Sequence, residues 1–108
     1  MRLLIDTSGV QFRVAGTAKR KLVKGQDATT KDGRPVWTVR LDAVDNQHES
    51  KETIWVEVAG DEPRLTFDGY ALVRVLVFAP WVGNDGKIKR AFRAEAVEPA
   101  PSGKVQAA

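Results

Sequence analysis

The stretch that most constrains the fold is Tyr70–Val97, which reads as one long β-hairpin. Tyr70–Val82 is almost wholly apolar and carries Val73, Val75, Val77 and Val82. Such branched side chains crowd a helical turn and suit a pleated surface. Pro80 also removes a backbone donor from any helix there. Lys87–Val97 follows as a second strand-like run. Gly83-Asn84-Asp85-Gly86 joins the two with residues that tolerate positive φ, as a tight hairpin turn requires. The apolar run is short for a bilayer crossing and contains Arg74, so it predicts no membrane segment. A strand of about a dozen residues, against a usual ~5–6, predicts a curved strand wrapping a small barrel.

The rest of the chain supplies strands to pair with it. Leu3-Leu4-Ile5 can form an edge strand before a turn at Asp6-Thr7-Ser8-Gly9. Gln11–Val23 alternates at first and then passes through Gly16, the mark of a bulge or sharp bend. Gly25–Pro35 is polar and predicts a loop carrying Lys31 and Arg34. Val36–Asp45 alternates cleanly, with Trp37, Val39, Leu41 and Ala43 on one face and Thr38, Arg40 and Asp42 on the other. Thr53–Val58 alternates again, and places Trp55 on its polar face between Thr53 and Glu57. A large ring there lowers solubility unless it meets a ligand or a partner. Gly60–Gly69 predicts a connector or a single helical turn. Residues 99–108 are too poor in apolar side chains to pack and predict a disordered tail after a domain spanning 1–98. Five strand candidates (Gln11–Val23, Val36–Asp45, Thr53–Val58, Tyr70–Val82 and Lys87–Val97) and no helix of three turns predict an all-β fold. Its expected form is a small five-stranded antiparallel barrel of the OB type with a long C-terminal hairpin.

Charge is unevenly distributed along the 108 residues, whose net charge is only +3. Residues 13–40 hold eight basic side chains against Asp27 and Asp32. Residues 41–68 reverse this, with eight acidic groups against Lys51 and Arg64, and residues 69–94 return to five basic groups against Asp85. Two basic segments around an acidic one can build a positive face that concentrates a polyanion, or can be ordinary solvated charge. The absence of cysteine removes disulfides and thiolate metal sites and fits a cytoplasmic protein. No basic stretch leads into an apolar one at the N-terminus, so no signal peptide is expected.

Catalysis and cofactors are not expected. The one histidine, His48, lies in a polar segment without a second ligand at metal spacing, and no nucleophile motif or Gly-rich phosphate loop occurs. Binding has more support. Single-stranded nucleic acid is held by cations that track phosphates and by rings on which bases stack, at ~1–3 kcal/mol per base. Cations and rings interleave here: Trp37 beside Arg34 and Arg40, Phe78 and Trp81 beside Lys87 and Lys89, and Phe92 between Arg90 and Arg93. Arg13, Lys21, Lys31 and Arg74 add to the basic set. Trp37 shares a face with Val39 and Leu41, so core packing and stacking are both open. Phe78 shares parity with Arg74 but also with Leu72 and Leu76, and Trp81 sits at a strand end where parity fails. Phe92 aligns with Ile88, Ala94 and Ala96 and is expected in the core, which turns Lys87, Lys89 and Arg93 outward.

The order of these features resembles the filamentous-phage single-stranded DNA-binding proteins. The likeness rests on Gly33-Arg34-Pro35, the strand ending Leu41-Asp42-Ala43-Val44-Asp45, the Thr53–Val58 strand and a Pro-containing link. Asp68-Gly69-Tyr70-Ala71-Leu72, the Gly-containing hairpin and Ala96-Val97-Glu98-Pro99-Ala100 extend it. The resemblance implies an OB-type barrel that dimerises and coats single-stranded DNA cooperatively without sequence preference, in the replication or transfer of a plasmid or other mobile element.

The expectation is therefore a non-enzymatic single-stranded DNA-binding protein, homodimeric or in a larger cooperative assembly. Its candidate contacts are Arg13, Lys21, Lys31, Arg34, Trp37, Arg40, Trp55, Arg74, Phe78, Trp81, Lys87, Lys89, Arg90 and Arg93. A β-barrel that meets a protein through Trp55 and the acidic segment is the alternative, followed by a binder of RNA or double-stranded DNA.

Overall fold

Every long alternating run in the sequence becomes a strand. The computed structural model describes residues 3–23, 25–45, 49–89 and 91–100, without the side chains of residues 81, 88 and 89. In chain order the strands are β1 (Leu3–Leu4), β2 (Val10–Val14), β3 (Lys19–Arg20), β4 (Leu22–Val23), β5 (Gln26–Asp27), β6 (Val36–Asp45) and β7 (Ser50–Ala59). They continue as β8 (Tyr70–Arg74), β9 (Val77–Phe78), β10 (Trp81–Val82), β11 (Ile88–Lys89), β12 (Phe92–Ala94) and β13 (Ala96–Pro99). The described residues contain no helix, so the fold is all-β, as the patterning predicts.

The long hairpin keeps a single register from end to end. Ala71 pairs with Pro99, Val73 with Val97, Arg74 with Ala96, Val77 with Arg93 and Phe78 with Phe92. Trp81 then pairs with Lys89 and Val82 with Ile88. The two residue numbers add to 170 in every pair, so neither arm has an inserted residue. The Gly83 amide donates to the Lys87 carbonyl at 2.9 Å, and Gly86 takes φ 76° in the turn, as its lack of a Cβ allows.

Both arms bend at the same level. Val75 has φ 54°, a left-handed conformation that a branched residue rarely adopts, and the Glu95 amide donates to the Arg74 carbonyl at 2.9 Å. The bend changes which parity faces inward. Ala71 and Val73 are buried on one side of it and Leu76 on the other, with Phe78 half-buried beyond. Strict alternation would leave Phe78 on the face of Arg74 and Phe92 on that of Ala96; the bend separates both pairs.

Phe12 and Val14 of β2, Val39 and Leu41 of β6 and Ile54, Val56 and Val58 of β7 form one core. Ala71 and Val73 of β8, Leu76 and Val97 complete it. Phe12, Val14, Val39, Leu41, Val56 and Val73 are almost wholly excluded from solvent. Truncating a side chain such as Leu41 to alanine there costs about 2–5 kcal/mol.

The largest sheet runs β1-β9-β12-β7-β6-β2-β8-β13, with β3 also on β6, while β10–β11 and β4–β5 form separate two-stranded ribbons. Nine strands share that sheet, and no closed barrel is found in its strand path, which differs from the five-stranded barrel expected. Bends account for the higher count. The expected Gln11–Val23 strand breaks into β2, β3 and β4 around Gly16, and the hairpin arms break at Val75, Glu95 and Pro80. The β7–β12 pairing is parallel, whereas all other ladders are antiparallel. Residues 61–66 are irregular rather than helical and reach the core through buried Pro63 and half-buried Leu65. The C-terminal strand also runs past the expected boundary at Glu98: Pro99 pairs with Ala71, and the Ala100 amide donates to the Tyr70 carbonyl at 3.0 Å. The remaining tail, 101–108, lies outside the described residues, as do Lys24, His48 and Arg90.

Candidate functional site

The outward face of β6 and β7 carries the most exposed tryptophan of known placement. Ile54, Val56 and Val58 alternate inward, which turns Thr53, Trp55 and Glu57 outward. Trp55 is 52% exposed and stands directly opposite Arg40 in the β6–β7 register. The Arg40 guanidinium carbon lies 5.7 Å from the Trp55 ring centroid. Its Nη2 donates to the Ala15 carbonyl at 2.7 Å. Gly16 lies against that side chain: a Cβ on Gly16 would make ordinary contact with the Arg40 Nε at 3.5 Å. Arg40 is thus fixed between the β2–β3 bend and an exposed ring, and presents a cation beside an open aromatic surface.

Two residues further along β7, about 7 Å away, Glu57 shares this face. Lys21 Nζ donates to Glu57 Oε1, and Arg93 Nε lies 3.4 Å from Oε2. These three line a groove of about 360 Å³ with Val23, Ala28, Thr29, Thr30, Val36, Ala59 and Ala94. A second groove of about 550 Å³ adjoins it through Ala59, Arg93 and Ala94 and continues to Arg34, Val75, Val77 and Glu95. Lys21 and Arg34 therefore border adjoining grooves that share Arg93. Arg34 holds Asp32 at 3.1 Å, and the Thr30 hydroxyl donates to the same carboxylate. The Thr30 hydroxyl first and the Arg34 guanidinium second keep the Asp32 carboxyl below the usual carboxylate range.

The other candidates fall elsewhere. Arg13 faces outward from β2, where Asp68 holds it at 2.8 Å, and its guanidinium carbon lies 5.9 Å from the Tyr70 ring centroid. Arg74 is on β8, separated from β7 by β6 and β2 in the sheet, and is bidentate to Glu98 at 3.1 and 3.2 Å. The hydrogen bonds that Arg74 donates to Glu98 hold its pKa above the usual value. Trp37 is half-buried: its Nε1–H donates to the Gly60 carbonyl at 3.0 Å, and the Arg20 guanidinium covers the ring at 5.3 Å. Phe78 is half-buried against Phe92, with ring centroids 5.1 Å apart. Lys31 and Lys87 are exposed, in the loop between β5 and β6 and in the hairpin turn. The side chains of Trp81 and Lys89 and the whole of Arg90 lie outside the described residues.

The charge blocks of the sequence do not become separate faces. Strand pairing, parallel in the case of β7 and β12, sets the acidic segment against both basic ones, giving Arg13–Asp68, Lys21–Glu57 and Arg93–Glu57. An exposed pair such as Arg13–Asp68 is worth about 0–1 kcal/mol, and the Lys21 and Arg93 side chains remain 35% and 51% exposed, so a polyanion can compete for these cations. Glu57, Gly16 and Arg20 were not among the candidate contacts. Gly16 announces a bend in the sequence, but nothing there shows that Arg40 fills the space beside it. Among the described residues no group of three His, Cys, Asp or Glu side chains could hold a metal ion.

No protein-family model matches the chain, and neither the curated proteins nor the solved structures give a match.

Proposed function

We propose that this chain is a non-enzymatic protein that binds single-stranded nucleic acid, DNA in the first instance, across the outward face of β6 and β7. The observation that carries this reading is the half-exposed Trp55 ring beside the fixed Arg40 guanidinium. Together they offer a stacking platform and a phosphate contact within one side-chain length of each other. The adjoining grooves bordered by Lys21, Arg93 and Arg34 extend the cationic track from this face.

An OB-type barrel is the proposed architecture. It is supported by a pairing circuit: β2 pairs with β6, β6 with β7, β7 with β12, β13 with β8, and β8 again with β2. Only Glu95 separates β12 from β13, so each hairpin arm can be taken as one bent strand, and five strands then form a ring. In such barrels the face of the second and third strands, with the loops after the first strand and between the last two, is the usual oligonucleotide surface. Those are β6 and β7 here, with residues 25–34 and the turn at 83–87. On the same reading, through the resemblance to filamentous-phage proteins, the chain coats single-stranded DNA without sequence preference. It does so as a homodimer or larger assembly, in the cytoplasm, serving the replication or transfer of a mobile element.

A titration with oligo-dT followed by tryptophan fluorescence, at low and moderate salt, tests the proposal. The expected result is quenching with an affinity that falls as salt rises. Absence of binding at low salt overturns it. One observation favours a second reading, a protein-interaction module: many of the cations are already paired with carboxylates on the surface. Association with a protein that is insensitive to salt would support that module instead.

A further inference from the structure

We infer that Glu57 is a built-in competitor for the phosphate of the ligand, which holds Lys21 and Arg93 together and sets the affinity and salt dependence of the face. The inference rests on the single-strand reading above and concerns the regulation of that same surface.

Glu57 is among the least exposed of the carboxylates that meet cations. Its side chain is 14% exposed and Asp42, beside Lys51, 21%, whereas Asp27, Asp68, Asp32 and Glu98 are between 45% and 63% exposed. Both its oxygens are engaged, Oε1 by Lys21 and Oε2 by Arg93. Lys21 follows β3 and Arg93 is on β12, so this one carboxylate ties together segments from opposite ends of the chain. Lys21 and Arg93 themselves remain 35% and 51% exposed, open to the groove. Two cations converge on one anionic group, in a partly desolvated position two residues from the Trp55 platform on the same face.

A carboxylate and a phosphate accept the same hydrogen bonds from an ammonium and a guanidinium. With no ligand, Glu57 keeps the two donors oriented and their charge balanced. A phosphate that enters the groove must share or take those donors, and leaves a partly buried carboxylate short of partners. Glu57 therefore opposes binding in proportion to how fully the cations turn to the ligand. A single-strand binder that has to be displaced from its track gains a weaker hold without loss of the contacts themselves.

The test compares oligo-dT affinity of the wild-type chain and Glu57→Gln across a salt series, with thermal unfolding followed by circular dichroism on both. Glutamine keeps the shape and removes the charge. The expected result is roughly three- to tenfold tighter binding at low salt, from removal of one negative charge near the phosphate path. The slope of log affinity against log salt should steepen by about 0.7 for every additional phosphate neutralised. Arg93→Ala added to Glu57→Gln should return the slope towards the wild-type value. Glu57→Ala serves as the second variant where Gln unfolds the chain. A folded variant that binds with unchanged affinity and slope, beside a wild type that does bind, overturns the role of Glu57 alone. Failure of both proteins to bind oligo-dT at low salt overturns the single-strand reading and this inference with it.

Discussion

Arg40 and Trp55 face one another across the β6–β7 ladder, with the guanidinium carbon 5.7 Å from the ring centroid and Nη2 anchored 2.7 Å from the Ala15 carbonyl. The relationship is a consequence of register. Each residue lies on the outward parity of its strand, and pairing of Arg40 with Trp55 makes them direct cross-strand neighbours. The anchoring bond restricts the long arginine side chain before any ligand arrives, which reduces the ordering cost of a later contact.

Trp55→Ala should weaken oligo-dT binding by about 1–3 kcal/mol, the range for loss of one stacked base. That corresponds to roughly 5- to 150-fold in dissociation constant. Because the ring is 52% exposed, the midpoint of thermal unfolding should move little. Trp55→Phe should retain most of the affinity. Equal losses of binding and stability in Trp55→Ala would instead make the ring a structural element.

A double-mutant cycle with Arg40→Ala and Trp55→Ala isolates their contact. The expected coupling in urea unfolding is about 0.5–1 kcal/mol, as for an exposed cation–π pair. Arg40→Lys should keep part of the charge contribution to binding but lose the planar contact with the ring. A coupling indistinguishable from zero would mean that proximity alone brings the two side chains together.

The hairpin and the outward position of Trp55 were legible because both rest on local information. Alternation of apolar and polar residues fixes strand parity, and Gly83–Gly86 fixes the turn. Parity beyond the bend was not legible: it depends on Val75 adopting φ 54°, and no local preference signals that for valine. The charge map was misleading for a related reason. Lys21 and Arg93 each lie 36 residues from Glu57, and which cation meets which carboxylate is decided by strand order. Trp37 shares the parity of Val39 and Leu41, yet its half-buried place beneath Arg20 depends on β3 pairing with β6.

Asp32 provides a pH-dependent feature in the loop between β5 and β6. The Thr30 hydroxyl and the Arg34 guanidinium hold its carboxyl below the ordinary value in the folded chain. A depressed folded pKa gives stabilisation that is complete above the unfolded carboxylate value, about 3.9. That stabilisation is lost as pH falls through the lower folded value. The carboxyl carbon shift of Asp32 in NMR should therefore titrate below the ordinary aspartate value, about 3.9. The Gly33 amide, which donates to the Thr30 carbonyl at 3.0 Å, should broaden over the same acid range. In Asp32→Asn that transition should disappear. Titration of Asp32 at the ordinary aspartate value would show that the loop contacts do not persist in solution.

Val75 stores strain that a single substitution should release. A branched residue at φ 54° is sterically unfavourable, and such positions cost about 1–3 kcal/mol. Its side chain is 47% exposed, so little packing is lost when it is replaced. Asparagine accepts the left-handed region more readily than valine, and unlike glycine it does not loosen the unfolded chain. Val75→Asn should therefore stabilise the fold by about 1 kcal/mol, a rise of roughly 4–8 °C in Tm for a domain of this size. The bend also sets which parity of each hairpin arm faces the core and shapes the groove that Val75 borders with Arg93 and Arg34. Since the substitution keeps the same backbone conformation, oligo-dT affinity should stay within about twofold of wild type, less than 0.5 kcal/mol. A fall in Tm would show that the valine methyl groups contribute more packing than the left-handed backbone costs.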